Sequence, residues 1–151
     1  MAHPAEGDSP ELVADAVVKY FYFLCLDESL SFAASLKVLT ELKARNWLEL
    51  AHRPEWVRVL RKWRGQLRRL KPRSKSHARP HTGMMLPMDL DMGVWAAFLS
   101  SGVADEIEAV VLSRILGLSD DEIADGLSVT TGTVRYRVGR GLRHLGGYID
   151  A

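Results

Sequence analysis

The spacing of hydrophobic residues along the chain predicts helices and no strands. Between Glu11 and Leu26 apolar side chains are dense and the run is too long for a strand, so a helix buried on most of its surface is expected. Asp27 or Ser29 is a suitable N-cap for a second helix that ends near Arg45. This second helix is predicted to carry Phe32, Leu36 and Leu39 on one face.

A third helix is predicted from about Pro54 to Leu70, because proline suits the first helical turn and Pro72 ends the helix. Its apolar residues recur at alternating steps of four and three, which places them on one face. They are Trp56, Leu60, Trp63, Leu67 and Leu70. The two tryptophans are therefore expected to be core residues rather than base-stacking residues. The other side of the helix is basic and carries Arg58, Arg61, Lys62, Arg64, Arg68 and Arg69.

Residues 119–145 have the pattern of a helix-turn-helix unit. Ser119 and Glu122 have the spacing of a capping box, in which each side chain binds an amide at the start of a short helix. Thr130 is a suitable N-cap for the helix that follows the turn. The predicted core between these two helices consists of Ile123, Leu127, Val129, Val134 and Val138.

The second helix of such a unit enters the major groove of duplex DNA with its N-terminal residues at the base edges. Threonine hydroxyls bond to bases or phosphates, and arginine pairs with guanine through two hydrogen bonds. The predicted DNA-binding residues are Thr130, Thr131, Thr133, Arg135, Tyr136, Arg137, Arg140 and Arg143. Because Gly139 and Gly141 each cost about 1 kcal/mol relative to alanine inside a helix, this helix is predicted to fray beyond Val138.

The formal net charge of +1 is a cancellation between strongly charged blocks. Residues 53–79 hold eleven basic side chains and one acid, whereas residues 80–128 hold nine acids and one base. Salt screens exposed charges beyond about 8 Å, so a polyanion along the basic block would scarcely feel the distant acids. The six basic residues of the third helix are therefore candidate contacts to the DNA backbone, and the acidic block is a candidate surface for self-association or a protein partner.

The predicted organisation is an all-α fold of two small helical domains. With 151 residues and 47% hydrophobic content the chain is globular and large enough for this division. Residues 73–93 contain prolines and glycines without a helical period, which is typical of a linker. We predict a flexible tail at 1–10, a helical domain at 11–72, a linker at 73–93 and a helix-turn-helix domain at 94–151.

Several functional classes are not supported by the sequence. Cys25 is the single cysteine, so no disulfide or thiolate metal site is expected. We find no phosphate-binding glycine loop and no nucleophile motif, and therefore predict no enzymatic activity, no cofactor and no metal. Apolar runs are too short to span a bilayer and the N-terminus lacks the order of a signal peptide, so a cytoplasmic protein without a membrane partner is expected.

Residues 107–145 resemble the C-terminal DNA-binding domain of bacterial RNA polymerase sigma factors, most closely the small two-domain extracytoplasmic-function type. The motifs that carry the resemblance are Gly117-Leu118-Ser119, Glu122-Ile123-Ala124 and Gly132-Thr133-Val134-Arg135, followed by Arg137 and Arg140. Residues 56–73 are similar to the aromatic and basic helix of the promoter-melting region in the same family. Glu108 lies where the family commonly has an arginine.

The resemblance implies a transcription initiation factor that binds double-stranded promoter DNA and the RNA polymerase core, with an anti-sigma or other regulatory protein as a further candidate partner. Residues 33–38 lack the acidic residues and the glutamine that the family shows there. That difference leaves one alternative open, and the two glycines inside the last helix together with the acidic block leave a second. One is a DNA-binding transcriptional regulator that does not replace a sigma factor. The other is a sigma look-alike that binds polymerase or an anti-sigma partner.

Overall fold

The fold was analysed in a computed structural model, which describes residues 9–46, 53–69 and 91–149. Within these ranges the regular secondary structure is entirely helical. The helices are α1 (Pro10–Cys25), α2 (Glu28–Ala44), α3 (Arg53–Arg69), α4 (Met92–Ser101), α5 (Ala104–Val110), α6 (Asp120–Leu127) and α7 (Thr131–Ile149). A π-helical segment, Val111–Ile115, continues α5. The predicted all-α fold is confirmed.

Side-chain caps define the hairpin of α1 and α2. The Ser9 hydroxyl accepts a hydrogen bond from the Leu12 amide at 3.3 Å, and Pro10 occupies the first turn of α1. Leu26 ends α1 in the left-handed region, with φ 54°. The Asp27 carboxylate then accepts a hydrogen bond from the Leu30 amide at 2.9 Å and starts α2. These local signals explain why the predicted ends of both helices agree with the structure to within about one residue.

The face of α2 that carries Phe32, Leu36 and Leu39 does not pack into the core. Phe32 and Leu36 are 57% and 50% exposed, and Leu39 is half-buried. The face that packs inward carries smaller residues for the most part: Ser31, Ala34, Ser35, Val38 and Leu42. Small side chains are favoured there because α1 contributes large buried aromatic side chains to the same hairpin. The two buried serine hydroxyls are satisfied by backbone carbonyls of the preceding turn.

Helix α3 packs on two sides. Trp56 and Leu60 are buried and Trp63 is half-buried, as the apolar stripe predicts. Val57, outside that stripe, is also buried because α6 crosses there. Gly126 of α6 makes this crossing close, since a Cβ atom at that position would lie 2.6 Å from the Val57 Cβ.

One continuous hydrophobic core joins the N-terminal and C-terminal helices. The Trp95 ring of α4 meets the Phe23 ring of α1 edge to face, with centroids 5.5 Å apart. The Trp95 Nε1 also donates a hydrogen bond to the Phe23 carbonyl at 2.8 Å. The division into domains at 11–72 and 94–151 stays a prediction. Residues 1–8 of the predicted tail and 70–90, which include most of the predicted linker, lie outside the described residues.

Candidate nucleic-acid interface

The helix-turn-helix unit is formed by α6, a short turn and α7. The Glu122 amide donates to the Ser119 hydroxyl at 3.2 Å, and the Ser119 amide donates to the Glu122 carboxylate at 2.9 Å. This reciprocal pair is the predicted capping box. Ser128 adopts the left-handed conformation at the end of α6, with φ 58°. The Thr130 hydroxyl then accepts a hydrogen bond from the Thr133 amide at 3.0 Å and caps α7.

Apolar contacts hold the two helices of the unit together. Ile123 is fully buried, and Val134 and Val138 are also buried. Leu127 and Val129 are half-buried and pack against the same core. The predicted core between the helices is therefore confirmed, and it fixes the orientation of the exposed side of α7 relative to α6.

Helix α7 continues to Ile149, so the predicted fraying beyond Val138 is wrong. The reason is that Gly141 is a packing residue. A Cβ atom at Gly141 would lie 2.5 Å from the Val110 Cγ2 and 3.1 Å from the Glu106 carbonyl oxygen. The absence of a side chain lets α7 lie directly against α5, and this tertiary contact offsets the low helix propensity of glycine.

The predicted DNA-binding residues of α7 are mostly accessible. Thr130, Arg135, Tyr136, Arg140 and Arg143 are exposed, while Thr131, Thr133 and Arg137 are half-buried. The hydroxyls of Thr130 and Thr133 are 2.9 Å apart and hydrogen-bond to each other, so the cap occupies part of their bonding capacity. The structure thus brings these eight residues together at the start and along the accessible side of one helix.

Three arginines of α7 have carboxylate partners in this chain. Arg135 Nε lies 3.1 Å from an Asp120 oxygen. Arg137 pairs with Asp105 at 3.8 Å and Arg140 pairs with Glu106 at 3.8 Å. The Arg140 guanidinium also lies over the Tyr136 ring, 5.9 Å from its centroid. Longer ion pairs of accessible groups are weak, so a phosphate can replace the carboxylate at low energetic cost.

The basic side chains of α3 contact acids rather than forming an unpaired cationic surface. Arg58 Nη2 lies 2.6 Å from an Asp125 carboxylate oxygen. Lys62 Nζ lies 2.7 Å from a Glu41 carboxylate oxygen. Arg61 and Arg64 both pair with Glu108, at 2.7 and 3.1 Å. The side chains of Arg68 and Arg69 lie outside the described residues. The proposed role of these six residues in DNA contact stays a prediction.

Glu108 is a buried acid whose contacts with α1 and α3 were not predicted from the sequence. Its side chain is fully buried, and its Oε2 accepts a hydrogen bond from the Tyr20 hydroxyl at 2.6 Å. Burial, and then the charge of Glu108 and its hydrogen bond, raise the pKa of Tyr20 well above its ordinary value. The sequence offered one signal for these contacts: Glu108 stands at a position where the resembled family commonly has an arginine.

Glu41 of α2 is a second acid that binds side chains of α3. Its carboxylate accepts hydrogen bonds from Lys62 Nζ at 2.7 Å and from Trp63 Nε1 at 3.2 Å. Burial acts to raise the pKa of Glu41, but these hydrogen bonds and the charges of Lys62 and Arg45 outweigh it, so the pKa is lowered. Trp63 is thus fixed by packing and by a hydrogen bond to Glu41, in agreement with its predicted structural role.

The described residues form no other kind of candidate site among those considered next: a metal site, a membrane span or a reactive thiol. Across residues 9–46, 53–69 and 91–149, no cluster of histidine, cysteine, aspartate or glutamate side chains could hold a metal ion. None of the described helices has the length and hydrophobicity needed to cross a membrane. Burial raises the pKa of the Cys25 thiol to about 11, so this cysteine is not a reactive thiolate at neutral pH.

Comparison with known proteins agrees with this geometry. Residues 104–145 match the family described as Sigma-70, region 4. The sigma factor RpoE of Bartonella quintana, solved in complex with the anti-sigma factor NepR, has a similar fold, with a TM-score of 0.73 and 19% sequence identity over 93% of this chain and 94% of that one. CnrH, solved in complex with the cytosolic domain of CnrY, has a TM-score of 0.63 and 20% identity over 91% of this chain and 81% of that one. No curated protein matches the sequence significantly.

The helix-turn-helix unit lies within the residues that match sigma-70 region 4, and the described helices have the fold of the solved RpoE structure. The match covers residues 104–145, which run from the start of α5 into α7. At identities of 19% and 20% the two solved structures support the fold of the described residues and no more than the fold. The predicted resemblance of the C-terminal helices to the DNA-binding domain of sigma factors is confirmed by the match of residues 104–145.

Proposed function

We propose that this chain is a sigma-like transcription initiation factor that binds promoter DNA through α7 and associates with RNA polymerase. The observation that carries the proposal is the complete helix-turn-helix unit, in which α6 and α7 are capped and packed while Arg135, Tyr136, Arg140 and Arg143 stay exposed. A rigid helix with exposed arginines near its N-terminal half suits insertion into the major groove. The match of residues 104–145 to sigma-70 region 4 supports the same assignment.

Within this proposal the side chains of α7 have different roles. Arg135 is exposed near the start of the helix, where it can reach a base edge and form two hydrogen bonds with guanine. Arg140 and Arg143 lie one to two turns further on and suit contacts to phosphates, which fix the position of the helix without reading sequence. Thr131 and Thr133 flank the helix N-terminus, where backbone amides attract a phosphate.

The protein partners proposed for this chain are the RNA polymerase core and an anti-sigma protein. Support for an anti-sigma partner comes from RpoE, which was solved with the anti-sigma factor NepR and shares the fold of this chain along most of its length. Support for polymerase binding comes from the family resemblance of the C-terminal domain. A helical bundle with an exposed apolar face on α2 offers additional surface for a protein contact.

Reconstitution with core RNA polymerase tests the initiation function. The full chain is expected to co-purify with the polymerase and to direct transcripts from selected promoter fragments. The variant Arg135→Ala with Arg140→Ala should keep the polymerase complex and lose promoter-dependent transcription, whereas Arg114→Ala, which removes an exposed cation outside α2 and α7, should keep both. If the wild-type chain forms no polymerase complex and starts no transcript, the initiation function is rejected.

A second candidate function is a DNA-binding regulator that does not replace a sigma factor. It is favoured by the outer face of α2, where Phe32 and Leu36 are exposed in the segment that lacks the family's acidic residues and glutamine. An apolar face requires a different partner chemistry from an acidic one. This candidate predicts sequence-specific duplex binding without a polymerase complex, so the reconstitution above separates the two functions.

A further inference from the structure

Arg135 and Asp120 form a hydrogen-bonded ion pair between the two helices of the helix-turn-helix unit. The Arg135 Nε lies 3.1 Å from the Asp120 Oδ2 and donates a hydrogen bond to it. The pairs that Arg137 and Arg140 make with acids of α5 are 3.8 Å long, which is beyond hydrogen-bonding distance. The contact with Asp120 therefore constrains the direction of its arginine more than the longer pairs do.

Asp120 is placed by the capped start of α6. It is the first residue of that helix, and the reciprocal hydrogen bonds between Ser119 and Glu122 fix the backbone of the same turn. Arg135 belongs to the second turn of α7, whose start is capped by Thr130. Because the apolar core between α6 and α7 fixes the distance between these two turns, both side chains extend from a rigid backbone. Under that condition one side chain can orient another.

The ion pair leaves the terminal nitrogens of the Arg135 guanidinium for another ligand. The hydrogen bond to Asp120 uses Nε, and the remaining donors are on Nη1 and Nη2. Two parallel donors match the O6 and N7 acceptors that guanine presents in the major groove. The Arg135 side chain is 69% exposed while that of Asp120 is 38% exposed. The guanidinium is thus held at one edge and accessible to a base.

We propose that Asp120 is a positioning residue that makes Arg135 selective for guanine. By holding Nε, the carboxylate restricts the guanidinium to an end-on approach in which both terminal nitrogens face one base. Without this partner the arginine can turn toward a phosphate, and a phosphate contact carries no sequence information. The inference rests on the proposed function, since it assigns sequence preference to the DNA-binding side of α7. Asp120 should therefore affect the choice of sequence more than the strength of binding.

Three substitutions separate positioning from a general effect of charge. Asp120→Ala removes the acceptor, whereas Asp120→Asn removes the charge and keeps an amide oxygen that can accept from Nε. Asp121→Ala is the matched control, because Asp121 is an exposed carboxylate in the same first turn of α6 and, among the described residues, forms no ion pair with α7. Loss of a negative charge near phosphates favours binding to every duplex alike, so it cancels in a ratio of affinities.

Guanine preference is the quantity to measure, as the ratio of dissociation constants for two duplexes that differ at one base pair. The probe is a duplex pool with a randomised centre, selected on the wild-type chain. The guanine whose preference is lost in Arg135→Ala marks the position, where a bidentate arginine supplies about 5- to 150-fold discrimination.

The expected changes in this ratio follow from the exposure of the ion pair. An exposed pair contributes up to about 5-fold, so Asp120→Ala should reduce guanine preference by about 2- to 5-fold. Asp120→Asn should reduce it less, and Asp121→Ala should leave it unchanged. Adding Asp120→Ala to Arg135→Ala should have no further effect on the ratio, because the two residues act through one contact.

Nuclear magnetic resonance of the Arg135 Nε–H group in the full chain without DNA tests the ion pair independently. Its order parameter should fall in Asp120→Ala and stay at the wild-type value in Asp121→Ala. An unchanged guanine preference in Asp120→Ala, an equal loss in Asp121→Ala, or a selected pool with no guanine that depends on Arg135 would overturn the proposal. If the wild-type chain selects no duplex, the proposed function fails, and the order parameter alone decides whether Asp120 holds Arg135: a lower value in Asp120→Ala supports it and an unchanged value rejects it.

Discussion

Two glycines of α7 make a matched test of how closely α7 packs on α5. Gly139 and Gly141 are two residues apart in the same helix. A Cβ atom at Gly139 would have the end of the flexible Arg143 side chain as its nearest neighbour, at 3.6 Å. A Cβ atom at Gly141 would lie 2.5 Å from the buried Val110 Cγ2 and 3.1 Å from the Glu106 carbonyl oxygen. The same substitution by alanine should therefore have opposite effects at the two positions.

The expected magnitudes follow from two opposing effects. Glycine to alanine inside a helix gains about 1 kcal/mol when the new methyl group meets no obstacle, so Gly139→Ala should raise the free energy of unfolding by up to that amount. Overpacking costs about 1–3 kcal/mol, which exceeds the propensity gain at Gly141. We expect Gly141→Ala to be destabilised by up to about 2 kcal/mol, and to be less stable than Gly139→Ala by about 1–3 kcal/mol.

Urea unfolding followed by far-ultraviolet circular dichroism measures both variants. A double-mutant cycle adds a stricter test, because Val110→Ala should recover part of the loss caused by Gly141→Ala and so give a favourable coupling energy. Equal stability of the two single variants would refute the close packing of α7 on α5. Additive effects in the cycle would show that Val110 is not the obstructing side chain.

Three further predictions concern a cap, an acid and the DNA contact. Ser119→Ala should lower the free energy of unfolding by about 1 kcal/mol in urea titrations, because the capping box is lost, whereas Ser119→Asp should keep most of it. Glu41→Gln should destabilise the protein above the ordinary glutamate pKa of 4.5, by less than about 1 kcal/mol. Because folding lowers the pKa of Glu41, its contribution to wild-type stability is lost as pH falls through that lowered pKa. The stability curves of wild type and Glu41→Gln against pH should therefore converge in acid. A difference in stability that stays constant with pH would contradict this. Arg135→Ala should weaken promoter binding in fluorescence anisotropy by about 1–3 kcal/mol and relax one base position, while uniform weakening of all sequences would show a phosphate contact instead.

Short-range signals account for the part of the fold that the sequence predicted well. The capping box of Ser119 and Glu122 and the cap at Thr130 involve residues three positions apart, so each is visible within one helical turn of sequence. The spacing of four and three residues between Trp56, Leu60 and Trp63 likewise identifies one face of a helix. For the same reason the helix-turn-helix and its candidate DNA-binding residues could be identified before any tertiary contact was known.

Sequence patterns were insufficient where a tertiary contact decided the outcome. Phe32 and Leu36 satisfy helical periodicity, but the space beside α1 accepts smaller side chains and leaves both exposed. Gly141 lowers helix propensity, yet its missing side chain allows α7 to lie against α5 and the helix continues. Neither result follows from the residue's own neighbours in sequence.

The sequence by itself determined the helices, their caps and the separation of charge into basic and acidic blocks. Only the tertiary structure decided that these blocks contact each other. Arg61 and Glu108 are 47 positions apart, yet their charged groups lie 2.7 Å apart because α3 packs beside α5. Local signals fix helices since their hydrogen bonds span a few residues, whereas the partner of a charge depends on which helices share a core.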